Sequence, residues 1–266
     1  KGTIYNNGSI KISSSAEYTG NEPENNPLLY ETNYLDELGA KQTAWAAKVK
    51  SSQTVWESGW YVVDEDVTIN DRLNVSGDVH LILKDNTDLT VNGGINVLQG
   101  NSFTVYAQSN EEKTMGSLTA DAASVEDSAG IGSTYSYSYF DANKTGSITI
   151  NGGIVHATGA DFSSGIGDGD NCSDAIITIN GGIVYANSGL GSVGIGGSND
   201  TITINGGQIY AKARSNTSMW NAGAGIGGGW NSSGGSITIN GGYVEATGAT
   251  ASDGNGGTGI GAGNYD

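Results

Sequence analysis

A single cysteine stands among the 266 residues, so no disulfide can form within the chain. The two histidines are too few for a zinc site built mainly from His and Cys. Proline occurs twice, as Pro23 and Pro27, against 44 glycines, so turns must be made by glycine. Cations are scarce: 11 Lys plus Arg face 28 Asp plus Glu, for a formal net charge of -17. Such a chain repels nucleic acid and anionic membrane. No apolar run approaches the roughly 20 residues that span a bilayer, and the first residues lack a basic-then-apolar signal pattern. Only 36% of residues are hydrophobic, which favours a thin core repeated along an axis over one large globular core. The expectation is a mature or excised soluble segment. Because GIGAGNYD stops within a repeat, it is expected to belong to a larger secreted chain.

What the sequence does contain is self-similarity. SITINGGIVHATG (147–159), IITINGGIVYANS (176–188), TITINGGQIYAKA (201–213) and SITINGGYVEATG (236–248) share one pattern. Each is followed by a loop of variable length and the phrase GIG, which also occurs at 130–132. Apolar residues alternate with period two, Ile148 and Ile150 inward and Thr149 outward, then Val155 and Ala157 inward and His156 outward. Asn-Gly is a strong hairpin signal. A hairpin is nevertheless disfavoured, because both flanking strands recur in every unit with the same inward set, as stacked parallel ladders require. GIG supplies a third short strand whose glycines allow close backbone approach. Three strands per turn, stacked at about 4.8 Å, make a parallel β-helix.

The fold class expected is therefore all-β: a right-handed parallel β-helix of about six to seven coils over residues 61–266. Residues 1–60 hold both prolines and three of the five tryptophans and read as a separate cap. Within them AKQTAWAAKVK (40–50) is expected to form a short amphipathic helix closing the coil stack.

The ITINGG and GIG repeats, with WYVVDEDVTINDRLNVSGDVHLILKD (60–85), resemble right-handed parallel β-helix proteins, an architecture of many secreted polysaccharide lyases and glycoside hydrolases. The same phrases resemble extracellular proteins of gut-dwelling Firmicutes. A narrower resemblance, to the β-helical lacto-N-biosidases of glycoside hydrolase family 136, implies two aspartates close in sequence, for which Asp161 and Asp168 are the matching residues. These resemblances imply a secreted or cell-surface, carbohydrate-active chain. The Gly-His-Gly and Arg-Ile-Lys signatures of polygalacturonases are absent. After Gly146 the only cations are Lys212 and Arg214, a poor match for a uronate polymer.

Stacked coils make each outward column a comparison within one sequence, and departures from the repeat mark candidate chemistry. GIGDGDNCSD (165–174) loads one coil with Asp168, Asp170 and Asp174, while Asp161 lies on the loop before it. In an extended segment Asp168 and Asp170 share a side about 6.5 to 7 Å apart. Inverting glycosidases separate their carboxyls by about 6.5 to 9.5 Å and retaining ones by about 5 to 5.5 Å. Asp168, with Asp161 or Asp170, is the candidate catalytic pair. Candidate sugar-binding residues are the outward strip His156, Tyr185, Tyr210 and Glu245, together with Tyr135, Asn199, Trp220 and Trp230 around the GIG loops.

Other readings stay open. DGDN is also an ordinary polar turn. Asp168, Asp170 and Asp174 offer oxygen ligands for Ca²⁺, although Ser173 stands where an EF-hand loop needs Gly. The threonine ladder Thr149, Thr178, Thr203 and Thr238 reflects strand propensity, because its neighbouring column is irregular. No cofactor is required by any of these readings. The leading expectation is a glycoside hydrolase using paired aspartates on a neutral or host-type glycan. The alternative is a non-catalytic carbohydrate-binding or adhesin module of a longer bacterial surface protein.

Overall fold

The computed structural model describes residues 10–13, 28–135, 144–215, 221–252 and 254–264. Parallel strands stack in three faces. The first holds the ITI strands Ser147–Ile150, Ile176–Ile179, Thr201–Ile204 and Ser236–Ile239, in register from Ile148 through Ile177 and Ile202 to Ile237. The second is a seven-stranded sheet that includes Ile154–Thr158, Ile183–Leu190, Gln208–Arg214 and Tyr243–Thr247. The third holds the two-residue GIG strands, from Ile131–Gly132 to Ile260–Gly261. The long strand Leu73–Leu83 joins two faces, pairing with Ile95–Asn96 at its start and with Ser102–Ala107 further on.

The repeat builds this arrangement because each inward position stacks on its own kind. Ile150, Ile179 and Ile204 are fully buried in one column, and Val155, Val184 and Ile209 in another. The glycine after each GIG isoleucine has a steric reason. Gly167 adopts φ +131°, and a Cβ there would lie 2.3 Å from the Gly196 carbonyl oxygen of the next coil. At the bend between the first two faces, Asn180 Nδ2 donates to Asn151 Oδ1 (2.7 Å), Asn205 to Asn180 (2.7 Å) and Asn240 to Asn205 (2.8 Å). The Asn of NGG thus forms a ladder of side-chain amides running along the axis.

The expected helix at 40–50 is a strand. Lys41–Lys48 pairs antiparallel with Leu28–Leu35 and parallel with Val55–Val63, and no α-helix occurs among the described residues. Helix propensity lost to tertiary contact: Ala44 and Ala46, two residues apart, bury one face of the segment against Val62 and Ile82, with Tyr34, Trp60 and Tyr106 packed around them. Stacking also begins before residue 61. Val55–Val63 runs beside Leu73–Leu83, and its Trp56 is fully buried in the solenoid core.

Candidate functional site

Beyond the carboxyl ends of the GIG strands, loops from successive coils enclose a cleft of about 290 Å³. Asp168, Asp170, Phe162 and Trp230 all line it. Phe162 and Trp230 lie two coils apart, with the Gly191 segment between them: Phe162 N donates to Leu190 O and Trp230 N to Gly191 O. Gly191 has φ +76°, and a Cβ on it would lie 3.3 Å from the Phe162 ring and 3.3 Å from Asn221 Cβ. The middle coil carries no side chain at Gly191, and the notch there is lined by Phe162 and Trp230, which are 38% and 39% exposed.

Asp168 enters this cleft from below with its oxygens engaged. It is 4% exposed; Thr145 Oγ1 donates to Oδ1 (2.6 Å) and the Ser198 amide donates to Oδ2 (2.8 Å). Its carboxyl takes the space that Gly197 leaves on the next coil, where a Cβ would lie 2.2 Å from Oδ2. The group it faces is the carboxyl of Asp200, 1% exposed, whose Oδ1 accepts the Ala175 amide at 2.8 Å and whose buried Oδ2 has no hydrogen-bond partner. Burial pushes both carboxyls up, Asp200 far more, and the charge of Asp168 pushes Asp200 further. Two carboxyls buried against each other disfavour double ionisation, so both are held above the usual carboxylate range.

The rest of DGDNCSD is a turn. Cys172 N donates to Gly169 O (3.2 Å), and Asn171 (φ 54°) and Asp174 (φ 67°) take the left-handed conformation that Asn and Asp tolerate. Cys172 is buried, its thiol 3.2 Å from the Thr134 carbonyl. Asp170 is half-buried at the rim, its carboxyl held above the usual range by burial and by the charge of Asp127.

Asp161 does not join the cleft lining. Its Oδ1 accepts the Leu190 amide (3.2 Å) and pairs with Arg214 Nη1 at 3.3 Å. Asp174 pairs with Lys144 Nζ at 2.6 Å and is bonded by Asn199 Nδ2, and these contacts hold its carboxyl below the usual range. Asp168, Asp170 and Asp174 thus point to different partners. Among the described residues no group of three or more His, Cys, Asp or Glu is placed to hold a metal ion. Asn199 is a turn residue at φ 61°.

The outward strip lies on the second face and contributes nothing to the cleft lining. His156, Tyr185 and Tyr210 stack as parallel rings, 4.7 and 4.9 Å between centroids at 4° and 10°. Their flat faces are spent on one another, so within the stack a sugar meets ring edges. Burial in the stack lowers the His156 pKa. Glu245 follows in register and accepts from Tyr243 Oη at 3.2 Å, while the Tyr243 ring tilts against Tyr210 at 51°. The Tyr135 amide donates to Asp127 O (3.0 Å) and Tyr135 does not line the cleft, and Trp220 lies outside the described residues.

Sequence reasoning missed Asp200, Asp127 and the role of Gly191. Asp200 had a signal: its column reads Gly146, Ala175, Asp200, Gly235, an acid among the smallest residues.

Fold and cleft together define a three-faced parallel β-helix with a loop-built cleft. The chain is similar to the β-helix repeat family at residues 148–170, 177–199, 202–230 and 237–264, and the first three of these segments hold most of the cleft lining. Comparison with curated proteins and with solved structures returned no match.

Proposed function

We propose that the chain is a carbohydrate-binding solenoid of a secreted or cell-surface protein, and that the notch between Phe162 and Trp230 takes a sugar ring. One observation carries this reading: two partly exposed aromatic rings, Phe162 and Trp230, line the same cleft. Pyranose C–H faces are apolar and pack on aromatic rings, while the rim supplies hydroxyl, amide and carboxylate partners from Ser198, Asn231 and Asp170. Binding is favoured over cleavage because Asp168 has both oxygens committed and Asp161 is paired elsewhere.

A screen against a printed glycan array tests the reading. Phe162→Ala and Trp230→Ala should each weaken binding about tenfold or more, the loss expected of an aromatic anchor. Thermal unfolding should stay close to that of the parent chain, because both rings are partly exposed. Full retention of binding in both variants would refute the notch as the site.

A second reading, glycoside hydrolysis, is favoured by one observation: the raised pKa of Asp170 at the rim suits a proton donor. Mass spectrometry of bound glycans decides between the two. Product release by the parent chain, abolished in Asp170→Asn while binding persists, would select hydrolysis.

A further inference from the structure

A second cleft, of about 470 Å³, lies where strands of the second face end, and Thr158, Asn187, Ser188, Lys212 and Arg214 line it. Lys212 and Arg214 are the only cations after Gly146 in a chain of net charge -17, and both reach this one cleft. Their strand, Gln208–Arg214, and its neighbour Ile183–Leu190 run longer than the flanking Ile154–Thr158 and Tyr243–Thr247. This extension carries residue 214. Lys212 and Arg214 alternate with the buried Ala213, so they project from the same side of the strand.

The hollow beside them has a local cause. Asn187 pairs with Lys212 and Leu190 with Arg214, so the register slips at a bulge between them. Inside the bulge Ser188 turns inward: its Oγ accepts the Arg214 amide (3.1 Å) and donates to Gly189 O (2.7 Å). Leu190 rather than Gly189 then stands opposite Arg214. Bulges of this kind recur beside binding sites because they re-aim side chains.

We infer that this cleft takes an anionic group, a carboxylate or a sulfate, carried on a sugar of the glycan that the aromatic notch holds; the inference rests on the carbohydrate reading. An Arg fork and a Lys point charge together match such an oxyanion, with the Asn187 amide and the Thr158 hydroxyl available for neighbouring hydroxyls. Asp161 now neutralises Arg214, but at 3.3 Å, with side chains 52% and 62% exposed, the pair is readily exchanged for a ligand anion. Asp121, the other acid in the outward column, stands three strands from Lys212, about 14 Å away at the strand spacing and beyond the Debye length of about 10 Å at 0.1 M salt. The overall negative charge repels densely charged polyanions, so the ligand is a glycan with an isolated acidic sugar.

The test is an array on which each glycan core is printed unmodified, carrying a carboxylated sugar, and carrying a sulfate. The parent chain should bind acidic members at least tenfold better than the unmodified core. In Lys212→Gln/Arg214→Gln that preference should vanish while binding to the core persists, and the two acidic series show which anion is taken. Equal binding of neutral and acidic members, unaltered by the double substitution, would overturn the anion site and leave the notch standing. Absence of binding to any core would overturn both.

Discussion

Asp168 and Asp200 come from adjacent coils as two buried carboxyls whose pKa values are both raised, and the energetic sign follows from burial. A carboxyl whose folded-state pKa lies above its unfolded value binds protons on folding, so it stabilises below the ordinary value of 3.8 and that contribution is lost as pH rises through the folded value. Stability contributed by the pair should therefore fall from about pH 4 into the alkaline range. Asp174, Asp78 and Asp36, whose pKa values are lowered by hydrogen bonds and ion pairing, act in the opposite sense and lose their contribution in acid. Asp200→Asn isolates the pair, because it removes one of the two ionisable groups while its amide oxygen can still accept from Ala175. The difference in melting temperature, variant minus parent, should rise from pH 5 to pH 9. A flat difference would mean that the pKa values of the pair are not raised. At this scale the sequence was half legible: Asp168 stood out from its column, while Asp200 precedes the ITI strand, where the chain reads as an ordinary polar turn.

Single strands of this molecule are short, and ladders along the axis hold them. Asn180 sits in the middle of the amide ladder, accepting from Asn205 and donating to Asn151. Asn180→Asp keeps the acceptor and removes the donor, so it should cost about 0.5–1.5 kcal/mol, one net hydrogen bond, in a urea titration. A cost near zero would reduce the ladder to decoration of the bend. The strands themselves were legible because ITINGG and GIG put β-branched residues at period two and glycine where coils touch. The Lys41–Lys48 strand was not, because alanine and lysine favour a helix when local sequence is all that is weighed, whereas its pairing partner Leu28–Leu35 is supplied by the fold.

The whole molecule is close to a one-dimensional object, in which each coil contacts mainly its neighbours. Ile177 and Ile202 occupy the same position on successive coils, so deleting residues 177–201 joins two equivalent points. The shortened chain should retain a β-rich circular dichroism spectrum with lower stability, and it should lose the parent's glycan binding, because Phe162 and Trp230 then fall on adjacent coils. Retained binding would disconnect the notch from the ligand. The cleft as a whole was only partly legible: Asp168, Asp170 and Trp230 were read as one site, but loops set which way Asp161 turns, and the notch depends on an absent side chain at Gly191. Gly191 also has a consequence for how such a site changes over time. Ring separation in this protein is graduated like a ruler, in steps of about 4.8 Å, because an aromatic residue can move only from one coil to another. A lineage could thus retune the span of the proposed sugar site by exchanging a glycine and an aromatic between rungs, without touching the scaffold that carries them.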